Sequence, residues 1–208
     1  MKWNEGGSMK SLFKLFHKKE GPMVRLIGQQ CSLRTFTPSD AKGLAKLLKD
    51  NKMYWSEFEP LHRDEFYTEQ VQYNKILESI HLLQSNREFS FGIFYNATGK
   101  LIGHISLYSI KRLPYSSGFI GYSMDENFTG KGIVTEAVRI VMEFAFITLN
   151  LHRIEAYVAP QNSASIRVLE KSGFTREGLL RELLYINGKW VDHYMYAILQ
   201  REYKGTTV

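Results

Sequence analysis

Residues 125–138 read DENFTGKGIVTEAV, and the fold turns on this stretch. Before it lies the strand-like run SSGFIGYSM, residues 116–124. After it, Val134, Ala137, Val138, Val141, Met142, Ala145 and Phe146 recur at helical spacing, which predicts a helix from Ile133 to about Asn150. Gly130 and Gly132 therefore sit between a strand's end and a helix start. Free backbone amides and the helix dipole there favour an anion, glycine lets phosphate oxygens approach, and Lys131 adds positive charge. An ordinary tight turn before a helix reads the same way. A Walker loop or a dinucleotide fingerprint needs glycines that are missing here.

Working outward, VRLIGQQCSLRTFT from Val24 alternates as extended structure with a bend at Gly28. Ser39 or Asp40 then caps a helix carrying Leu44, Leu47 and Leu48 on one face, ending near Asn51. An aromatic loop leads into a second helix, from about Glu65 to Asn86, with Val71, Ile76, Ile80 and Leu83 apolar. The runs EFSFGIFYN, KLIGHISLYSI and SSGFIGYSM form an antiparallel meander. Downstream of the long helix come the strand RIEAYVA, a helix SASIRVLEKSG ended by Gly173, and two strands turning at Asn187 and Gly188. The fold class is mixed α/β, and the strands flanking the long helix are candidates for a parallel pair because a helical crossover joins them.

With 208 residues, 44% hydrophobic and 23% charged, the chain has the composition of one globular domain. The net charge of +6 suits nucleic acid, anionic lipid or a phosphate-rich cofactor. No sequence-specific nucleic-acid signature accompanies it. Cys31 is the single cysteine, which excludes an intrachain disulfide and a cysteine metal cluster, favours a cytoplasmic setting, and reads as a buried small hydrophobe. No apolar run is long enough for a transmembrane helix. Residues 1–22, basic and bearing Leu12, Phe13, Leu15 and Phe16, read as a mobile or partly docked tail, with a surface-binding amphipathic helix as the alternative; the domain proper spans 23–208.

The segment NFTGKG, followed by IVTEAV, resembles the acetyl-CoA loop of the GNAT superfamily, with Asn127 standing where the family prefers Gln or Arg. A second block, PQNSASIRVLEKSGF after HRIEAYVA, is similar to the family's Asn, helix and Gly-Phe block. The segments FEPLHRDE and LLYINGKWVDHYMYA extend the likeness to the RimJ/RimL-type ribosomal-protein-alanine N-acetyltransferases, over nearly everything from Val24 onward. The resemblance implies the GNAT fold, acetyl-CoA as donor, a protein N-terminal amine as acceptor, and possible ribosome association. It implies that Asn127, Gly130, Lys131, Gly132, Ile133, Val134 and Thr135 cradle the pyrophosphate. It further implies that the backbone amide of Met124 serves the thioester or pantetheine and that Asn162 helps hold the cofactor arm, although Asn162 also suits a plain helix cap.

Direct attack of a neutral amine on a thioester needs a base, an oxyanion stabiliser and a proton for the thiolate. Many relatives carry a tyrosine where this chain has Leu169; the resemblance to the Rim-type branch implies Ser165, which matches a serine there, as the proton donor, with a solvated capping group on the first helical turn as the alternative. They often carry a carboxylate where this chain has Phe119, which leaves Glu59 as the base, with a surface carboxylate before Pro60 as the equal alternative. Tyr54, Trp55, Phe58, Tyr67 and Tyr194 are candidates for an acceptor groove. His62, His104, His152 and His193 show no metal spacing and read as ordinary polar or core residues, so no metal is expected. Acetylation of a small amine (polyamine, antibiotic, amino acid) and a degenerate acetyl-CoA-binding sensor are the competing functions.

Overall fold

The computed structural model describes residues 23–205; the tail 1–22 lies outside the described residues. The strands are β1 Arg25–Ile27, β2 Cys31–Thr35, β3 Phe89–Tyr95, β4 Leu101–Lys111, β5 Ser117–Met124, β6 Arg153–Val158, β7 Thr175–Ile186 and β8 Lys189–Leu199. They form one sheet in the order β1-β2-β3-β4-β5-β6-β8-β7. Every neighbouring pair is antiparallel except β5 and β6, which run parallel. Between those two lies α4, Ile133–Glu143, the crossover that parallel strands require.

The helices α1 Ala41–Asp50, α2 Lys52–Trp55 and α3 Glu69–Gln84 cover one face of the sheet, and α4 with α5, Ser163–Lys171, covers the other. Alternation along the strands sorts the residues. Leu33, Phe91, Ile93, Ile105, Leu107 and Ile120 are almost fully buried in the core they share with Ala137, Val138 and Val141 of α4. Leu44, Leu47, Leu48, Trp55 and Ile76 form a smaller cluster on the opposite face. Ser90, His104, Ser106 and Ser123 alternate with the apolar residues, so part of the sheet under α1–α3 is polar. No helix among the described residues is long and apolar enough to cross a membrane.

Three elements differ in detail from their sequence reading. The first extended run is a hairpin whose turn is held by α4: the Glu136 carboxylate accepts from the amides of Gln29, Gln30 and Cys31, the last at 3.2 Å. Gly28 fits there because a Cβ would stand 2.6 Å from Ile140 Cδ1. The second helix starts at Glu69, since Thr68 adopts extended backbone and its hydroxyl caps Val71 N at 3.4 Å, leaving Asp64–Tyr67 as a separate 3₁₀ turn. The long helix widens into a π turn over Phe144–Thr148, which lets Phe144, Ala145 and Phe146 all face inward, Phe144 edge-on to Phe89 at 5.0 Å.

Glu136→Ala strands the amides of the β1–β2 turn. We expect a loss of about 1–3 kcal/mol in unfolding free energy, the usual cost of hydrogen bonds to a charged group, measured by urea titration. An unchanged midpoint would mean that water replaces the carboxylate fully.

Candidate active site

β5 and β6 pair only over Ser117–Arg153, Gly118–Ile154 and Phe119–Glu155, then part. A cavity of about 420 Å³ opens where they separate, lined from β5 by Ile120 to Ser123 and from β6 by Ala156 to Val158. The amide of Asp125 bonds Ile102 O at 2.7 Å, which makes Gly103–Met124 a pair without mutual hydrogen bonds. The N–H and C=O of Met124 therefore turn away from β4, toward the gap. Its carbonyl accepts from Trp55 Nε1 at 2.8 Å.

The turn after Met124 is anchored from several sides. Asp125 is buried and its Oδ1 accepts from both the backbone and side-chain nitrogens of Asn127, while Lys100 Nζ reaches Oδ2 at 3.1 Å. Burial opposes ionisation of Asp125, but the Asn127 and Lys100 partners bring its pKa below the ordinary carboxylate value. Asn51, itself buried, receives the Glu126 amide at 3.0 Å. The side chain of Asn127 is thus engaged within the turn, and the Asn127 main-chain carbonyl accepts from Lys131 Nζ at 2.9 Å. Lys131 also lies over the Phe128 ring, 5.0 Å from its centroid, with Lys100 at 5.1 Å from the same ring.

Gly130 and Gly132 have φ of 74° and 79°, the left-handed region that glycine enters without a Cβ penalty. Nothing among the described residues lies within 4 Å of a Cβ placed on Gly130, so the turn is open on that side. Gly132 is the N-cap of α4 and brings no side chain to the amides of Ile133, Val134 and Thr135. An open, uncapped helix N-terminus beside Lys131 fits a diphosphate.

The remaining cavity wall mixes polar and apolar groups. Asn162 Oδ1 caps α5 by accepting from Ser165 N at 3.0 Å, and both residues line the cavity. Ser165 Oγ lies 2.9 Å from the Tyr122 hydroxyl. Burial pushes the Tyr122 phenol up to about 12, only partly offset by Ser165, so it keeps its proton at neutral pH. Leu169, 1% exposed, packs in the core and also reaches the cavity wall. From the α1–α3 side come Phe58 and half-buried Glu59, whose carboxylate accepts a short hydrogen bond from Ser123 Oγ. Burial raises the Glu59 pKa, and the Ser123 hydroxyl opposes that rise.

Of the aromatic residues expected in an acceptor groove, Phe58 lines the cavity. Trp55 is locked beneath Met124, Tyr54 is 40% exposed, Tyr67 lies under Lys52, and Tyr194 carries Arg176 over its ring. Residues that sequence reasoning passed over are Tyr122 and Ser123, and His104 and His193, read as ordinary polar or core residues, line the cavity as well. Strand alternation places Ser123 beside His104 on one face, but the pairing that joins them is visible only in the register.

His104 lies edge-on to Trp55 at 5.5 Å. Enclosure pushes its imidazole down to about 4, against an ordinary value of 6.5. The unfolded chain therefore binds a proton that the fold refuses, so this contribution to stability is complete above about 6.5 and lost as pH falls toward about 4. We expect the wild type to lose on the order of 3 kcal/mol more than His104→Gln over that interval. Parallel pH dependences of Tm would show the imidazole to be unshielded.

Comparisons with known proteins bear on the same region. The model of the acetyltransferase (GNAT) domain matches residues 31–175. The chain is 42% identical over 174 residues to the probable N-acetyltransferase YjcK of Bacillus subtilis, covering 84% of this chain and 96% of that protein. It is similar to the crystal structure of the ribosomal-protein-S5-alanine acetyltransferase from Vibrio fischeri, with a TM-score of 0.82, 32% identity, and coverage of 87% of this chain and 99% of that one. Mycobacterium smegmatis RimJ, solved in complex with CoA-disulfide, superposes with a TM-score of 0.79 at 27% identity, covering 88% of each chain. A sheet that parts between its two parallel strands, a glycine turn feeding a bare helix N-terminus, and a family match spanning both lead to one conclusion: the chain belongs to the GNAT family of acetyltransferases and is an N-acetyltransferase.

Proposed function

We propose that this chain acetylates the N-terminal α-amine of a protein, a ribosomal protein by analogy with its relatives, using acetyl-CoA. The observation that carries the reading is the cavity where β5 and β6 part, with a carboxylate on one wall and a hydroxyl pair on the other. Acetyl-CoA supplies an acyl group activated as a thioester. The amides of Gly130 to Thr135, with Lys131, hold its diphosphate, while Asn127 acts by fixing the turn. The Met124 amide, turned into the gap, donates toward the oxygen on which charge develops. Asn162 keeps α5 and Ser165 in place at the pantetheine side.

Glu59 receives the proton of the incoming ammonium, directly or through water; its raised pKa brings it closer to that task at neutral pH. The Tyr122–Ser165 pair returns a proton to the departing thiolate. By analogy Ser165 is the donor, and its proton is made good by the one that the amide nitrogen gives up; the Tyr122 phenol, 2.9 Å away and held protonated, orients the Ser165 hydroxyl. Residues 23–208 act as the catalytic domain, with the basic residues 1–22 as an appendage that suits an anionic surface such as the ribosome.

The test is mass spectrometry of cellular N-termini with and without the protein. One or a few proteins losing their N-terminal acetyl mark is the expected result. A complete, unchanged set of marks, together with thioester turnover on polyamines or other small amines, would move the acceptor to that class. CoA binding with no turnover on any amine would make the chain a sensor.

A further inference from the structure

The β7–β8 hairpin turns through Asn187 and Gly188, at φ 48° and 90°, between the paired residues Ile186 and Lys189. This is the geometry of a two-residue type I′ turn. Most of β7 is exposed, yet Ile186 at its tip is only 3% exposed. The tip is docked through the Asn187 amide: Oδ1 accepts from Leu61 N at 2.8 Å and Nδ2 donates to Ser56 O at 2.6 Å. Those two bonds bracket residues 56–61, the loop that carries Phe58 and Glu59 into the cavity.

The hairpin bends to reach that loop. Its register runs from Leu180↔His193 to Leu184↔Val191, so β7 holds extra residues opposite Asp192. Glu182, at φ 51°, donates its amide to Asp192 Oδ1 at 2.7 Å within this bulge, a feature that bends a strand. Next to Asp192, buried His193 lines the cavity. One hairpin thus supplies a cavity wall and a fastening for the loop opposite. Asn-Gly suits this turn by its positive φ alone, and the turn does not require the two further bonds that the Asn187 amide makes to Leu61 and Ser56.

We propose that Asn187 is a positioning residue that latches the 56–61 loop and, through it, holds Glu59 at the acceptor side of the cavity. This rests on the assignment of Glu59 as the proton acceptor. Releasing the latch lets the loop swing and water reach the carboxylate. The amine and its base then lose alignment, and the Glu59 pKa falls back toward that of a solvated carboxyl.

Asn187→Gly retains the left-handed turn and removes both bonds. Asn187→Asp keeps an acceptor for Leu61 N but no donor for Ser56 O. Steady-state kinetics with acetyl-CoA and a peptide amine, across pH, are measured for both variants and for Asn187→Gly combined with Glu59→Gln. We expect Asn187→Gly to lower kcat about 10- to 100-fold, as small misplacements of reacting groups do. KM for acetyl-CoA stays unchanged and the acidic limb of kcat/KM moves to lower pH. Asn187→Asp should recover part of the loss, and in the Glu59→Gln background Asn187→Gly should cost nothing further. An equal loss in both backgrounds, or a lowered Tm with unaltered kinetics and pH profile, overturns the latch. Full turnover in Glu59→Gln alone overturns the Glu59 assignment and the latch with it, whereas lost turnover there beside a wild-type-like Asn187→Gly overturns the latch alone.

Discussion

Gly130→Val is expected to weaken CoA binding roughly 100-fold, with the fold retained. Two effects add. A β-branched residue at φ 74° is strained in a region that glycine occupies freely, a cost of about 1–2 kcal/mol or more. The new Cβ also projects into the open space beside the turn, where the proposed diphosphate site lies. Gly130→Ala shares the backbone strain but fills less of that space, so an intermediate loss of roughly tenfold is expected. Titration calorimetry with CoA reads both variants, and far-UV circular dichroism checks that the turn alone has changed. Wild-type affinity in Gly130→Val would remove the turn from the binding site.

Glu59→Gln is expected to lower kcat about 10²- to 10³-fold at neutral pH, the range of general-base contributions, with KM for acetyl-CoA little changed. The amide oxygen of Gln still accepts from Ser123, so the local bond survives while the proposed proton acceptor is lost. Burial raises the Glu59 pKa, so its ionised form gains with pH across a range shifted above that of an ordinary carboxylate. Wild-type kcat/KM should therefore rise with pH through that range, and the variant should lack this limb. A variant with the wild-type limb would place the titrating group elsewhere.

The stretch around Gly130 and Gly132 was legible because its signals are local. Positive φ, a helix start and an apolar helical stripe are each written within a few residues, and the resulting strand, turn and helix are where the sequence puts them. The parallel pairing of β5 with β6 followed from the crossover rule. The ends of elements were less legible. Nothing local marks the π turn at Phe144–Thr148, which arises because Phe144, Ala145 and Phe146 have core partners on β3 and at the C-terminus.

The site shows the same division. Asn162 and Ser165 line the cavity between the parted strands, and Glu59 lines it too although it comes from a loop about sixty residues upstream of its partner Ser123. Leu169 and Phe119 stand where the resemblance would put a tyrosine and a carboxylate, and Ser165 and Glu59, the substitutes read from the sequence, both line the cavity. Tyr122 approaches Ser165 across 43 residues of sequence, and Asn187 reaches Ser56 across 131. Such contacts depend on register, bulges and the packing of α5 on the sheet, none of which a single strand's alternation encodes. Asn127 carries the converse lesson: the sequence reads it as a cofactor contact, while its side chain is engaged in holding the turn together.

A crystal structure of this chain with CoA tests the central claim most directly. The diphosphate is expected within hydrogen-bonding distance of the main-chain nitrogens between Gly130 and Thr135, with the pantetheine running between β5 and β6 toward Met124. A diphosphate bound away from that turn, or a pantetheine lying outside the parted strands, would contradict it.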